Sequence, residues 1–166
     1  MRVAILTISD SVSRGTRDDR SGPALAARAR ELGWEVAASA VLPDDSSLIS
    51  ARLIALADSG SIDLVLTTGG TGLGPRDVTP EATASAAEKL VPGLGERMRE
   101  AGSRTNPRAA LSRSQGACRG ATLILNLPGS PRGAVESLDA VAGLVPHAIE
   151  ILHGAGHDPA RGAPGG

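Results

Sequence analysis

The chain has 166 residues, 41% of them apolar, and a formal net charge of −1; this suits one α/β domain with a sizeable core and provides no field for binding a polyanion. With one Trp, no Tyr and no Phe, it lacks the aromatic platform on which single-stranded nucleic acid stacks, so a nucleic-acid partner is not expected. Cys118 is the only cysteine, which excludes an internal disulfide and a thiolate metal cluster.

Residues 2–9, RVAILTIS, form a continuous β-rich run and read as a buried strand. The run is only strand-length and Asp10 follows it, so it is neither a signal peptide nor a membrane span. A cytoplasmic protein without a membrane partner is the expectation. Residues 10–21 are polar. Ser21-Gly22-Pro23 then opens an Ala/Leu/Arg helix, with Pro23 in its first turn, that stops near Gly33. Residues 34–42 read as a second strand. Pro43-Asp44-Asp45-Ser46 is a turn and helix cap, followed by a helix with a Leu48, Ile49, Leu53, Ile54 and Leu56 stripe. Residues 62–68, IDLVLTT, are a third strand, which ends in the glycine-rich Gly69–Gly74 loop. Thr79-Pro80-Glu81 starts a helix expected to reach about Leu90, and Pro92-Gly93 separates it from another helix. Residues 103–120 read as irregular, with a short strand near 109–115. Residues 121–127, ATLILNL, are the fourth clear strand. A Pro128–Pro131 turn leads into a helix to about Ala142, and a last helix spans about Pro146 to Leu152. The Gly/Pro-rich tail, 154–166, is expected to be disordered.

Alternating apolar strands and helices imply an α/β fold: one three-layer domain, 1–153, with a mainly parallel sheet and helices on both faces. Ligands of such sheets bind outside the carboxyl ends of the strands. The expected ends carry Ser9-Asp10, Pro43-Asp44, Thr68-Gly69-Gly70 and Asn126–Gly129, so polar and glycine residues gather on one edge.

Glycines let backbone N–H groups approach an anion closely. Gly69 and Gly74 have Walker spacing, but Pro75 stands where the lysine is required, and the loop does not follow the first strand as a dinucleotide fingerprint would. A P-loop NTPase and a dinucleotide dehydrogenase are therefore disfavoured; a phosphate cradle and a ligand-free turn both remain open. Asp44 and Asp77 should face the same edge. Two carboxylates beside a phosphate cradle suit Mg²⁺, with phosphate and water completing its shell. Each could instead cap the helix that follows it. His147, His153 and His157 read as incidental, and Cys118 as a small core residue. Arg104, Arg108 and Arg113, with Ser112 and Ser114, either bind an anion or form a solvated face. Lys89 is the only lysine, so nearly all positive charge is guanidinium.

The segment TTGGTGLGPRDVTPEAT resembles the signature of molybdenum-cofactor biosynthesis proteins of the MogA/MoaB type, shared with the G domains of plant Cnx and animal gephyrin. ILTISDSVSRGTRDDRSGPAL, VLPDD, PGLGERMRE, LSRSQGACRG and LILNLPGSPRGAVESL follow in the family's order and spacing, so the resemblance covers about residues 2–152. It implies a molybdopterin adenylyltransferase that binds ATP with Mg²⁺ and transfers AMP to the terminal phosphate of molybdopterin, releasing pyrophosphate. The alternative it leaves is a non-catalytic molybdopterin-binding scaffold of the MoaB type. By position, Asp44 and Asp77 match the family's magnesium-linked acids. Gly69, Gly70, Thr71, Gly72 and Gly74 should contact nucleotide phosphates. Asn126, Pro128, Gly129, Ser130 and Pro131 should line the nucleotide side, and Ser9, Asp10, Ser112, Arg113 and Ser114 should serve the pterin. Gly102 departs from the pattern, standing where plant relatives have serine near the pterin. The resemblance also implies a homotrimer or hexamer and a molybdenum-insertion partner.

Overall fold

The computed structural model describes residues 1–154. The expected tail beyond Gly154, with His157, lies outside the described residues. The strands are β1 (Arg2–Ile8), β2 (Glu35–Leu42), β3 (Leu64–Thr68), β4 (Lys89–Val91), β5 (Gly116–Arg119) and β6 (Thr122–Leu127). The helices are α1 (Asp10–Ser13), α2 (Ser21–Glu31), α3 (Ser46–Asp58), α4 (Thr79–Ala86), α5 (Pro92–Ser103), α6 (Pro131–Ala142) and α7 (Val145–Leu152), with a 3₁₀ turn at Pro107–Leu111. The sheet order is β2-β1-β3-β6-β5-β4. The first four strands in that order are parallel, whereas β5 pairs antiparallel with both β4 and β6. The expected α/β architecture is thus present.

Two expectations along the chain are corrected. The helix after the glycine loop ends at Ala86, not Leu90, because Lys89–Val91 is drawn into the sheet by β5. The strand expected near 109–115 is a 3₁₀ turn: Pro107 occupies its first turn and the Asn106 side chain caps it, accepting from Arg108 N–H at 3.1 Å. The strand itself lies later, at Gly116–Arg119, and turns through Gly120 (φ 51°) into β6.

Alternation along the strands splits the core. Val3 and Ile5 of β1, Leu64 and Leu66 of β3, and Leu123 and Leu125 of β6 pack with α2, α5 and α6. Ala4 and Leu6, Val65 and Ile124 point the other way, toward α3 and α4. The fully buried β3 and β6 reflect their place in the middle of a sheet with both faces covered. β2, at one edge, alternates between exposed and half-buried positions. The chain passes from β1 to β2 on one side and then crosses to β3 on the other. The crevice of the fold therefore opens between the carboxyl ends of β1 and β3, at Ser9 and Gly69.

Candidate active site

The loop after β3 is built by two kinds of glycine. Gly69 and Gly70 adopt φ of 102° and 65°, which an L side chain resists, and a Cβ on Gly69 would overlap the Ile8 carbonyl oxygen. Gly72 and Gly74 have ordinary φ, but a Cβ there would lie 2.7 Å and 2.8 Å from Asp77 Oδ2. They are glycines because the Asp77 carboxylate lies against the loop. Gly74 N–H donates to Asp77 Oδ2 at 2.8 Å.

The surrounding chain pins the loop's carbonyls. Thr79 Oγ1 donates to Gly69 O at 2.9 Å, and Arg113 donates through Nε to Gly72 O at 2.8 Å and through Nη2 to Asp77 O at 2.6 Å. Arg113 also pairs with Glu81. The N–H groups of Gly70, Thr71 and Gly72 have no acceptor among the described residues, so the loop turns carbonyls toward protein and leaves amides for an anion.

Asp44 and Asp77 converge on this loop, and neither is a helix cap. Asp45 caps α3, accepting from Leu48 N–H at 2.9 Å, and Val78 occupies the cap position of α4 without a side-chain bond. Burial pushes the Asp44 carboxyl above its ordinary pKa, and the charges of Asp10 and Asp77 add to the rise. The Arg76 guanidinium holds Asp10 below the usual carboxylate range.

Two adjoining clefts open at this edge. The first, about 900 Å³, is lined by Ser9, Asp44, Thr68, Gly69, Pro131 and the 15–21 segment. The second, about 530 Å³, is lined by Thr71, Gly72, Met98, Arg99, Gly102, Arg108, Ser112, Ser114, Pro128 and Glu136. Gly70, Asp77, Gly129 and Ser130 line both and form the boundary between them. The amino end of α6 opens at this boundary, where its dipole favours negative charge; Ser130 caps it, accepting from Gly133 N–H at 3.1 Å.

The residues expected at the site separate on this geometry, and four of them fall outside both clefts. Gly74 gives its N–H to Asp77. Asn126 is fully buried beneath α4, donating at 2.9 Å to both Thr67 and Thr83, with its Oδ1 unpartnered. Arg113 is spent bracing the loop, and Asp10 is bound by Arg76. The residues assigned to pterin divide, with Ser9 in the first cleft and Ser112 and Ser114 in the second. Of the three arginines flanking the irregular segment, Arg108 lines the second cleft, Arg104 pairs with Glu100 on the surface and Arg113 braces the loop. Sequence reading missed the 15–21 segment, which Asp19 ties down by accepting from Thr7 Oγ1 at 2.7 Å and Gly22 N–H at 3.0 Å. It also missed Arg99 and Glu136. The spacing of Met98, Arg99 and Gly102 on one face of α5 was the available signal.

A glycine loop, paired acids and a helix amino end gather at the crevice between parallel strands of an α/β protein, the edge where ligands of such sheets bind. Residues 4–147 match the family model described as a probable molybdopterin binding domain. The chain is 37% identical to the molybdopterin adenylyltransferase of Helicobacter pylori strain J99, covering 93% of this chain and 89% of the relative. It is 38% identical to the protein of that name from Escherichia coli K12, covering 93% and 86%. The solved structure of the molybdopterin biosynthesis enzyme MoaB from Thermus thermophilus matches with a TM-score of 0.87 at 50% identity, covering 92% of this chain and 96% of that one. The chain belongs to the molybdopterin-binding family and is a molybdenum cofactor biosynthesis protein of the MogA/MoaB type. No helix among the described residues is long and apolar enough to cross a membrane.

Proposed function

We propose that this chain is a molybdopterin adenylyltransferase, with ATP held in the first cleft and molybdopterin in the second. The observation that supports this most is the shared wall: Gly70, Asp77, Gly129 and Ser130 border both clefts, so two bound phosphate groups meet there. An oxygen of the pterin's terminal phosphate attacks the α-phosphorus of ATP. The bond from that phosphorus to the bridging oxygen breaks, and pyrophosphate leaves with the electron pair. The nucleophile is already anionic, so no strong general base is needed. The task is to bring two polyanions together in line.

This chain's residues fit that task. Amides of Gly70 to Gly72 and the amino end of α6 offer fixed positive ends at the boundary, where negative charge develops. Arg99 and Arg108 supply positive charge to the pterin cleft in place of lysine. Asp44 and Asp77 suit Mg²⁺: each binds one backbone N–H through Oδ2, and neither Oδ1 accepts a hydrogen bond among the described residues. Two carboxylates with substrate phosphates are the usual protein share of such a site, and the ion would neutralise charge on the phosphates. A homotrimer acting in the cytoplasm and passing its product to a molybdenum-insertion partner accords with this reading.

The test incubates the protein with molybdopterin, ATP and Mg²⁺ and follows adenylated pterin by mass. Product should form. Asp44→Asn and Asp77→Asn should each remove most turnover while leaving pterin affinity within about threefold, because the lost groups act on the metal side. Absence of product where the E. coli relative makes it would reject the enzyme reading.

A further inference from the structure

Asp10 and Arg76 lie outside both clefts, yet they are joined to Asp44 by a closed set of bonds. Asp10 N–H donates to Asp44 Oδ2 at 2.8 Å, and Asp44 N–H donates to Asp10 Oδ1 at 3.1 Å. The two residues thus exchange backbone-to-carboxylate bonds between the end of β1 and the end of β2. Arg76, at the far end of the glycine loop, grips Asp10 with two prongs: Nε to Oδ2 at 3.0 Å and Nη2 to Oδ1 at 3.2 Å. Asp10 has both carboxylate oxygens engaged by protein donors and lies outside both clefts. The chain of contacts runs from the loop that carries Asp77, through Arg76 and Asp10, to Asp44.

We propose that Asp10 and Arg76 are positioning residues that fix the Asp44 carboxylate against Asp77 for a divalent cation. The proposal rests on the reading of Asp44 as a metal ligand. The geometry explains why three elements distant in sequence must be tied at this point. Asp44 follows β2, an edge strand with only one neighbour, and its carboxylate would otherwise depend on a single turn for its aim. The fork of a guanidinium fixes a carboxylate in both position and plane, which the single charge of a lysine does not. Groups bonded to a metal's ligands set its affinity, and their loss costs about 10- to 100-fold.

The experiment titrates Mn²⁺, in place of Mg²⁺, into the full-length protein with saturating ATP, following free Mn²⁺ by electron paramagnetic resonance. Asp10→Asn and Arg76→Gln should each weaken Mn²⁺ binding about tenfold or more, with Arg76→Lys intermediate. Melting temperatures and metal-free ATP affinity should stay close to those of the parent. Activity assays should show the same variants partly recovering rate at high Mg²⁺, whereas a merely structural role would lower rate at all metal concentrations. Asp44→Asn is titrated in parallel. If it abolishes Mn²⁺ binding while Asp10→Asn and Arg76→Gln bind as the parent does, the positioning role is overturned. If Asp44→Asn also binds normally, the metal reading falls and this proposal with it. Should Asp10→Asn fail to fold, Arg76→Gln alone decides, because its side chain is 65% exposed and its loss leaves no buried gap.

Discussion

At the residue scale, the glycine loop is a case of one residue type serving two physical ends. Gly69 is fixed by backbone shape, since its φ of 102° is costly for any side chain and a Cβ would strike Ile8. Gly72 is fixed by space, because its Cβ would lie 2.7 Å from Asp77 Oδ2 while its own φ is ordinary. The two should therefore fail differently. Gly69→Ala should lower stability by about 2 kcal/mol or more, through strain and overlap. Gly72→Ala should leave thermal unfolding within a few degrees but reduce turnover on the order of 100-fold by displacing Asp77. Paired melting curves and rate measurements check this, and equal melting losses would contradict it. The presence of the glycines was legible in sequence, but their separate reasons were not: Asp77 lies only three residues beyond Gly74, yet residue type does not say that its carboxylate folds back onto the loop. The same holds for the acids: Pro43-Asp44-Asp45-Ser46 offers neighbouring cap candidates, and only the path of the chain gives the cap to Asp45 and leaves Asp44 to the cleft. Asp10 and Arg113 were assigned to pterin by position, yet their partners lie 34 and 66 residues away for Asp10 and 32 to 41 away for Arg113, beyond what a local pattern reveals.

At the element scale, sequence showed four strands: β1, β3 and β6, whose Val/Leu/Ile runs follow from burial on both faces, and the edge strand β2, whose loose alternation follows from burial on one. β4 and β5 escaped notice. β4 has three residues, and β5, Gly116–Arg119, has no β-branched residue; β5 exists because β6 offers it an edge, and β4 because β5 then offers the next one. Arg119 fastens that added edge to the helical layer. It donates to Asp58 of α3 at 2.8 Å and 3.0 Å, and to the Ala86 carbonyl at the end of α4 at 3.1 Å. The Arg119 guanidinium holds the Asp58 carboxyl below its ordinary pKa. The sign is that of a carboxylate bound more tightly when ionised: the stabilisation is complete above the unfolded value of about 3.9 and disappears as pH falls through the lower folded value. Asp58→Asn should therefore melt below the parent at neutral pH, with the gap closing as pH drops below about 4. Melting across pH 2.5 to 7 in dilute buffer is the measurement, and a gap that persists undiminished at the acid end would remove the ion pair as its cause.

At the scale of the whole molecule, one sheet separates two cores, and the site occupies the edge where both layers end. α3 and α4, on one side, follow the segments that carry Asp44 and Asp77; α5 and α6, on the other, frame the second cleft. The sheet can hold the two clefts in fixed relation only if it transmits little strain between its faces. Buried positions with no shared neighbours should then contribute independently to stability. Ile49 on α3 and Val141 on α6 are both fully buried, in opposite cores. Ile49→Val should cost about 1 kcal/mol and Val141→Ala about 2 kcal/mol, from lost methyl burial and the small cavities left behind. The double variant should equal their sum within about 0.5 kcal/mol, in a single cooperative urea transition with an unchanged slope. A coupling above about 1 kcal/mol would mean that the sheet relaxes as either core is thinned. The clefts would then shift against each other, and the proposed in-line meeting of two phosphates at Gly70 and Asp77 could not rest on the rigidity of the sheet alone.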